Sequence, residues 1–473
     1  MSNLSISNVI NISVSQTGTG IGAYNTSNLA IFSNEAYGLG FGTDGYKIYL
    51  GPEEVAIDFG SDSITYQQAL AVFSQQPNIK AADGYLVVIP AIVQEWSLTP
   101  ASAPTSGAYS FTYDGNNSDP IAWDATAAQI QAIVRLVPGL SKAVVLGTFA
   151  TAVVISGFGT YGDLDGAITE NSNSLDDGAA VAVVIGDDIT GETAADSILR
   201  TIGLIEYFGI INTQILAEAD MLAAAALVQT LNKIAAFASI LEADIEVGGK
   251  LDLLRSGSLF NSRGLYYGGA TDLSGLLFMA AYMGRGLSTN FSGSNTTQTM
   301  HLKDLATIQP DPTMTQNILN KSQAAGADNY ISIQGVSKTF TSGANEFFDF
   351  VYNLQWFVGA LEVAGFNTLA QLGTKLPQTE GGMDALKSSY RLICEQSVTN
   401  QFTAPGKWTS PTTFGVQSDL LSNITQRGYY IYSVPVSQQP QADREARKAP
   451  LVQIAIKTAG AIHSSTVIVN VNK

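Results

Sequence analysis

Between residues 29 and 240 short apolar runs alternate with helix-like stretches, and this alternation limits the fold more than any other feature of the chain. Leu29–Phe32, Lys47–Leu50, Val55–Phe59 and Gly84–Pro90 read as strands, and Ser63-Ile64-Thr65 opens a helix that runs to about Phe73. After Gly178 the pattern resumes with a buried strand at Val181–Ile185, a helix at Thr193–Gly203 and a strand at Phe208–Asn212. A helix at Ile215–Asn232 and a strand at Ala236–Ile240 complete it. Parallel neighbours need a crossover connection, usually a helix, so this order implies a mostly parallel sheet.

The gap in the alternation holds a different pattern. Residues 97–107 (SLTPASAPTSG) have the composition of a linker. Beyond them lie an alternating strand at Tyr109–Tyr113, a turn at Asp114-Gly115-Asn116-Asn117 and a return strand from Ile121 to Trp123. A helix entered through Asp124-Ala125-Thr126-Ala127 stops at Pro138-Gly139, and Val144–Leu146 and Ala152–Ser156 are two more strands. Residues 95–178 thus read as a ββαββ module inserted into an α/β domain made of 25–94 and 179–340.

Later segments are more helical. Leu273–Met283 is an apolar helix, and 345–365 is a long one whose Phe347, Phe350, Leu354, Phe357 and Leu361 recur at the spacing of a core stripe. Another helix spans Gly381–Gln401, and Tyr429–Val434 is a strand. Residues 341–455 read as a second α/β domain, flanked by β-type arms at 1–24 and 456–473. The β-type runs at the two ends are Ile6–Ser15, Val452–Lys457, which leads into the second arm, and Thr466–Val471, all rich in β-branched residues. Such ends template pairing and need a cover, and strand addition between copies supplies one. Ile10, Ile12, Val14, Ile454, Ile456, Val467, Val469 and Val471 are the expected inter-subunit residues.

Charge narrows the function further. Only 13% of the 473 residues are charged and the net charge is −17, which disfavours phosphate backbones as ligands. Residues 1–200 hold 5 basic and 20 acidic side chains, whereas 425–473 hold 6 basic against Asp443 and Glu445. A basic tail of this kind suits docking onto an acidic body, or is simply a solvated tail. No basic-then-apolar leader follows Met1 and no apolar run approaches the ~20 residues of a membrane span, so synthesis and retention in a cytoplasm is the expectation.

Catalytic chemistry has few candidates. His301 and His463 are the two histidines and Cys394 the one cysteine, which excludes an internal disulfide and makes a zinc site or a histidine-based triad hard to build. Gly18-Thr19-Gly20-Ile21-Gly22 and Gly38-Leu39-Gly40-Phe41-Gly42 lack the strand-to-helix frame and the lysine of phosphate loops. Asp163, Asp165 and Glu170 resemble part of a calcium loop without its full pattern. No enzyme activity, cofactor or metal is expected.

Three stretches together resemble the contractile tail sheath proteins of tailed bacteriophages. They are SNVINISVSQTGTGIGAYNTSNLAIFSNE near the start, GGMDALKSSYRLICEQSVTNQFTAPGKW, and RKAPLVQIAIKTAGAIHSSTVIVNVNK at the end. The inserted IAWDATAAQIQAIVRLVPGL with VVLG and VVISG resembles a decoration module of phage virion proteins. The resemblance implies a multi-domain, mixed α/β sheath fold with a mostly parallel central sheet, an outward-facing insertion and extended β arms. It implies a virion component, assembled in the host cytoplasm as stacked hexameric rings of itself around a tail tube, meeting baseplate and tail terminator proteins. Contraction would drive the tube through the host envelope for genome ejection. The domain 341–455 would face the tube, with Lys387 and Arg391 one turn apart as candidate tube-facing groups. A baseplate component and an acidic extracellular hydrolase are the alternatives.

Overall fold

The computed structural model describes residues 22, 25–42, 44–269, 271–371 and 374–467, so Ile10, Ile12, Val14, Val469 and Val471 lie outside the described residues. The chain divides into two compact units. One comprises residues 25–290, 296–355 and 461–473; the other comprises 1–24, 291–295 and 356–460.

The larger unit begins with β1 (Leu29–Ser33), β2 (Lys47–Tyr49), α1 (Pro52–Phe59), α2 (Ile64–Phe73) and β3 (Leu86–Pro90). The expected strand at Val55–Phe59 is instead the body of α1. Pro52 in the first turn fixes φ where no donor is missed, and Glu53 and Glu54 sit at the positive end of the helix dipole. The Ser63 hydroxyl caps α2 by accepting from the Tyr66 amide at 3.1 Å.

The module follows, with β4 (Glu95–Pro100), β5 (Ala108–Tyr113), β6 (Asn116–Asn117), β7 (Ile121–Ala122), α3 (Ala127–Val134), β8 (Val144–Thr148), β9 (Ala152–Ser156), β10 (Ile168–Asn173) and β11 (Val183–Ile189). One sheet runs β11-β4-β9-β8; the other joins β10, β5 and β6, with β7 on β5. Two expectations are corrected here. The first four residues of the expected linker, 97–100, are the end of β4, whose Trp96, Leu98 and Pro100 alternate inward. The run at 181–185 does not join the parallel sheet: β11 pairs antiparallel with β4, Ile185 opposite Leu98. Its apolar letters mark a half-exposed strand of the module. Asp114 (φ 44°) and Gly115 (φ 77°) make the tight hairpin turn, and Thr126 caps α3 in a reciprocal capping box with Gln129.

The alternation then returns through α4 (Ala194–Thr201), β12 (Gly209–Asn212), α5 (Glu218–Gln229), β13 (Ile234–Ser239), α6 (Lys250–Ser256), β14 (Ser262–Tyr266) and α7 (Asp272–Gly286). The central sheet has the order β14-β13-β12-β1-β3-β2, parallel throughout except for β2 on β3. Every residue of β1, β3, β12, β13 and β14 is buried, as befits a parallel sheet covered on both faces. The unit ends with α8 (Gln316–Ala324) and the hairpin β15 (Asn329–Ile333) and β16 (Val336–Phe340).

The unit boundary falls within α9 (Phe348–Ala370). Its buried face differs from the expected stripe. Phe348, Val351, Tyr352, Trp356 and Phe357 are inside, whereas Phe350 and Leu354 are exposed. An aromatic-rich helix fits several helical faces, so the sequence alone chose the neighbouring one. The smaller unit continues with α10 (Glu380–Thr399), α11 (Gln417–Arg427), β17 (Tyr429–Ser433), α12 (Gln441–Glu445) and β18 (Val452–Ile456).

Candidate assembly surfaces

The smaller unit carries a sheet of two strands. β17 and β18 run antiparallel with Tyr430 opposite Ala455 and Ile431 opposite Ile454. Gly428 makes the turn from α11 into β17 at φ 82°, and a Cβ there would lie 2.7 Å from the Ala404 carbonyl carbon, so only glycine fits. Under one face Leu420, Ile424, Tyr430 and Ala455 form a small core, with Phe414 stacked on Tyr430 at 5.7 Å.

This pairing corrects the reading of 452–457 as a strand with no partner of its own. Ile454 and Ile456 sit on an intrachain ladder, because Ala455 between them is anchored over α11. The Lys457 amide donates to the Gly428 carbonyl at 2.7 Å and that of Ala459 to Phe402 at 2.8 Å, prolonging the attachment. Beyond it the chain is in neither helix nor strand through residue 467, and Val467 is 77% exposed.

Lys387 and Arg391 lie one turn apart on α10. Lys387 is tied to Asp384 at 3.0 Å, and Arg391 is exposed on a face that also carries Asp384 and Glu395. The face is of mixed sign. The unit as a whole is not: residues 356–460 hold nine basic and seven acidic side chains in a chain of net −17.

The groups considered for chemistry are placed as follows. Cys394 is fully buried in α10 and burial pushes its thiol up to about 12, the environment of an inert small hydrophobe. Among the described residues no group of three or more His, Cys, Asp and Glu is placed to hold a metal ion, and no helix is long and apolar enough to cross a membrane. Asp165 is engaged with Gln94 Nε2 at 2.6 Å and Asp187 with the Gly166 amide, so these acids tie loops of the module together.

Two polar constellations, one buried and one half-buried, were not legible in the sequence. In the first, Arg263 on β14 forms a two-pronged ion pair with Asp328, which also accepts from the Tyr282 hydroxyl at 2.5 Å and the Ser342 amide at 2.7 Å. The same guanidinium donates to the carbonyls of Ser342 at 2.6 Å, Asn345 at 3.2 Å and Glu346 at 2.6 Å, pinning the turn that leads into α9. A buried pair survives when its remaining hydrogen-bonding capacity is filled, as here. In the second, His301 and His463 stack at 4.4 Å with 17° between their planes. The rarity of histidine was the available signal; their separation in sequence gave none.

Residues 348–471 match the family model described as E217 tail sheath protein gp31-like, C-terminal domain. The kinship with phage tail sheath proteins read from the sequence therefore stands, and this C-terminal stretch carries it. A solved structure, the sheath tail protein of Desulfitobacterium hafniense, is similar over 94% of this chain and 99% of its own, at 11% identity and a TM-score of 0.42. No curated protein matches the chain.

Proposed function

We propose that this chain, of tail-sheath kind in residues 348–471, is the structural subunit of a contractile phage tail sheath. The family match is the observation that carries this reading. Copies stack as hexameric rings around a tail tube, meet baseplate and terminator proteins at the two ends, and contract to drive the tube through the host envelope for genome ejection. No cofactor or catalytic step enters: the work comes from contacts exchanged between subunits, each small and repeated along the lattice.

The two-stranded sheet supports strand addition as the link between copies. Among the described residues β17 and β18 pair with each other alone, so each has an outer edge open to a further strand. β18, with Ile454 and Ile456, then acts as acceptor. The donated strands are the segments holding Ile10, Ile12 and Val14 and those holding Val467, Val469 and Val471. Each added hydrogen bond contributes about 1 kcal/mol net, so a single link is weak and a lattice of them is strong. The near-neutral residues 356–460, with Lys387 and Arg391, face the acidic or polar surface of the tube, and the acidic module points away from it.

Electron microscopy of the purified full chain tests the reading: tubes or short contracted cylinders are expected, and discrete particles that never elongate would favour a baseplate component. A chain ending at Gly460 keeps β18 whole and should remain folded with an unchanged melting temperature while failing to polymerise. Full-length tubes from that variant would remove the C-terminal segment from the assembly.

A further inference from the structure

From Ala461 to Val467 every residue is exposed except His463, whose ring is the half-buried group of this stretch. The His463 ring lies against His301 on one face and meets Phe347 edge-on at 4.7 Å and 88°. Its Nε2 is 3.0 Å from the Thr299 hydroxyl, which in turn donates to Asp349 at 3.5 Å. Ile462 beside it is 90% exposed and takes no part in the anchor.

The second ring is fixed. His301 is buried, packs on Phe340 at 4.8 Å, and accepts at Nδ1 the Thr341 amide at 3.2 Å. That nitrogen must present a lone pair, so in the closed arrangement the neutral ring carries its proton on Nε2. Protonating Nδ1 would turn an acceptor against an amide N–H and set a second cation 4.4 Å from any charge on His463.

We propose that the His301–His463 stack is an acid-released latch that holds the C-terminal segment on its own subunit. The role of that segment as the donated arm rests on the sheath function above; its release does not. The charged groups around the pair all bear on the sign. Burial, then the neighbouring His463 ring and Lys303, oppose a proton on His301; Asp328 favours one, and the balance keeps His301 below its ordinary 6.5. Asp328 is committed to Arg263, and Lys338 on β16 is held by Asp304 at 2.7 Å. Asp349, reached by the Thr299 hydroxyl, has its own carboxyl raised by burial. Glu346 on the same stretch is exposed. A folded-state value below the free one means that the latch is intact above about pH 6.5 and is lost as the pH falls through the lowered value.

The test uses unpolymerised full-length subunits carrying Val467→Cys and a small dye, since Val467 is exposed and the native thiol is buried. Dye anisotropy should drop between about pH 7.5 and about pH 5, the closed-to-open ratio falling about tenfold for each unit separating the two states' histidine values. The double variant His301→Phe with His463→Phe keeps two stacked rings that cannot be charged and should flatten the response. A flat wild-type profile overturns the proposal, as does an equal drop in the double variant or a drop that coincides with loss of the helical circular dichroism signal. Because the reading needs no polymer, a working latch in a chain that never forms tubes would overturn the sheath function alone.

Discussion

The inserted module and the C-terminal sheet are both small β structures, and they are stabilised in opposite ways. The module closes on itself: Trp96, Tyr109, Phe111, Phe149 and Ile155 are fully buried in one core shared by its two sheets and α3, with Trp96 edge-on to Tyr113 at 5.7 Å. Among the described residues the sheet of β17 and β18 shares a core of four buried residues, its own Tyr430 and Ala455 with Leu420 and Ile424 of α11, and Trp408, Phe414 and Tyr432 are half-buried against it. A two-stranded sheet with so thin a core is marginal alone, and further strands would complete it. One β element is closed over a large core of its own, and the other is a single strand pair over a small one.

The first way to break this contrast is Phe111→Ala. It should cost about 3–5 kcal/mol, because a closed core cannot collapse around the cavity. The module should lose its structure as a unit while the parallel sheet keeps a separate transition in denaturant; simultaneous loss of both would deny the module its independence. Ile424→Ala should cost the isolated subunit about 2 kcal/mol, near the lower end for a buried aliphatic, since the thin core can settle. That deficit should shrink in assembled tubes, and an equal deficit in both states would mean that nothing is added to the sheet.

Excision of residues 93–191 sharpens the other side. Ile92 accepts from the Glu192 amide at 2.9 Å, so the two cut ends are already neighbours. The remaining body should fold with a melting temperature within a few degrees of the parent, and insolubility would show that the module shields the sheet. It does touch the body: Lys142 pairs with Glu35 at 2.9 Å, and Tyr161 donates to the Phe32 carbonyl at 2.9 Å. Burial would raise Glu35, but the Thr65 amide, Lys142 and the Ile64 amide outweigh it and hold the carboxyl below its ordinary range. The contribution of that contact is therefore present above the ordinary carboxylate range and fades as the pH falls through the lowered value. The smallest effect is expected from Lys387→Glu with Arg391→Glu, below about 0.5 kcal/mol on folding because both are surface groups. Weaker assembly on purified tubes is the expected result, and unaltered assembly would remove these residues from the tube face.

What the sequence made legible follows the strength of local signals. β9 at Ala152–Ser156 and the caps Ser63 and Thr193 are where periodicity and cap chemistry put them. α1 was misread because Val55–Phe59 is short and apolar, a run in which strand and helix look alike until Pro52 and the two glutamates are weighed. β11 was misassigned because an apolar run does not say which sheet it joins; that depends on β4, more than 80 residues earlier. The same reason hid both polar constellations: Arg263 with Asp328, and His301 with His463, are pairings made by topology between residues with no local motif. The assembly residues divide likewise. Their β-branched composition is visible, whereas the internal partner of Ile454 and Ile456 is not.

The burial of Cys394 has a practical consequence. A chain whose one native sulfhydryl is sealed inside α10, with its proton held far above neutrality, is already a background-free host for site-specific chemistry. An introduced surface cysteine will be the one that reacts, with no native residue removed first. Dyes placed in turn on the module, on α10 and near Val467 would then report distances within one subunit, before and after polymerisation, from the same unmodified scaffold.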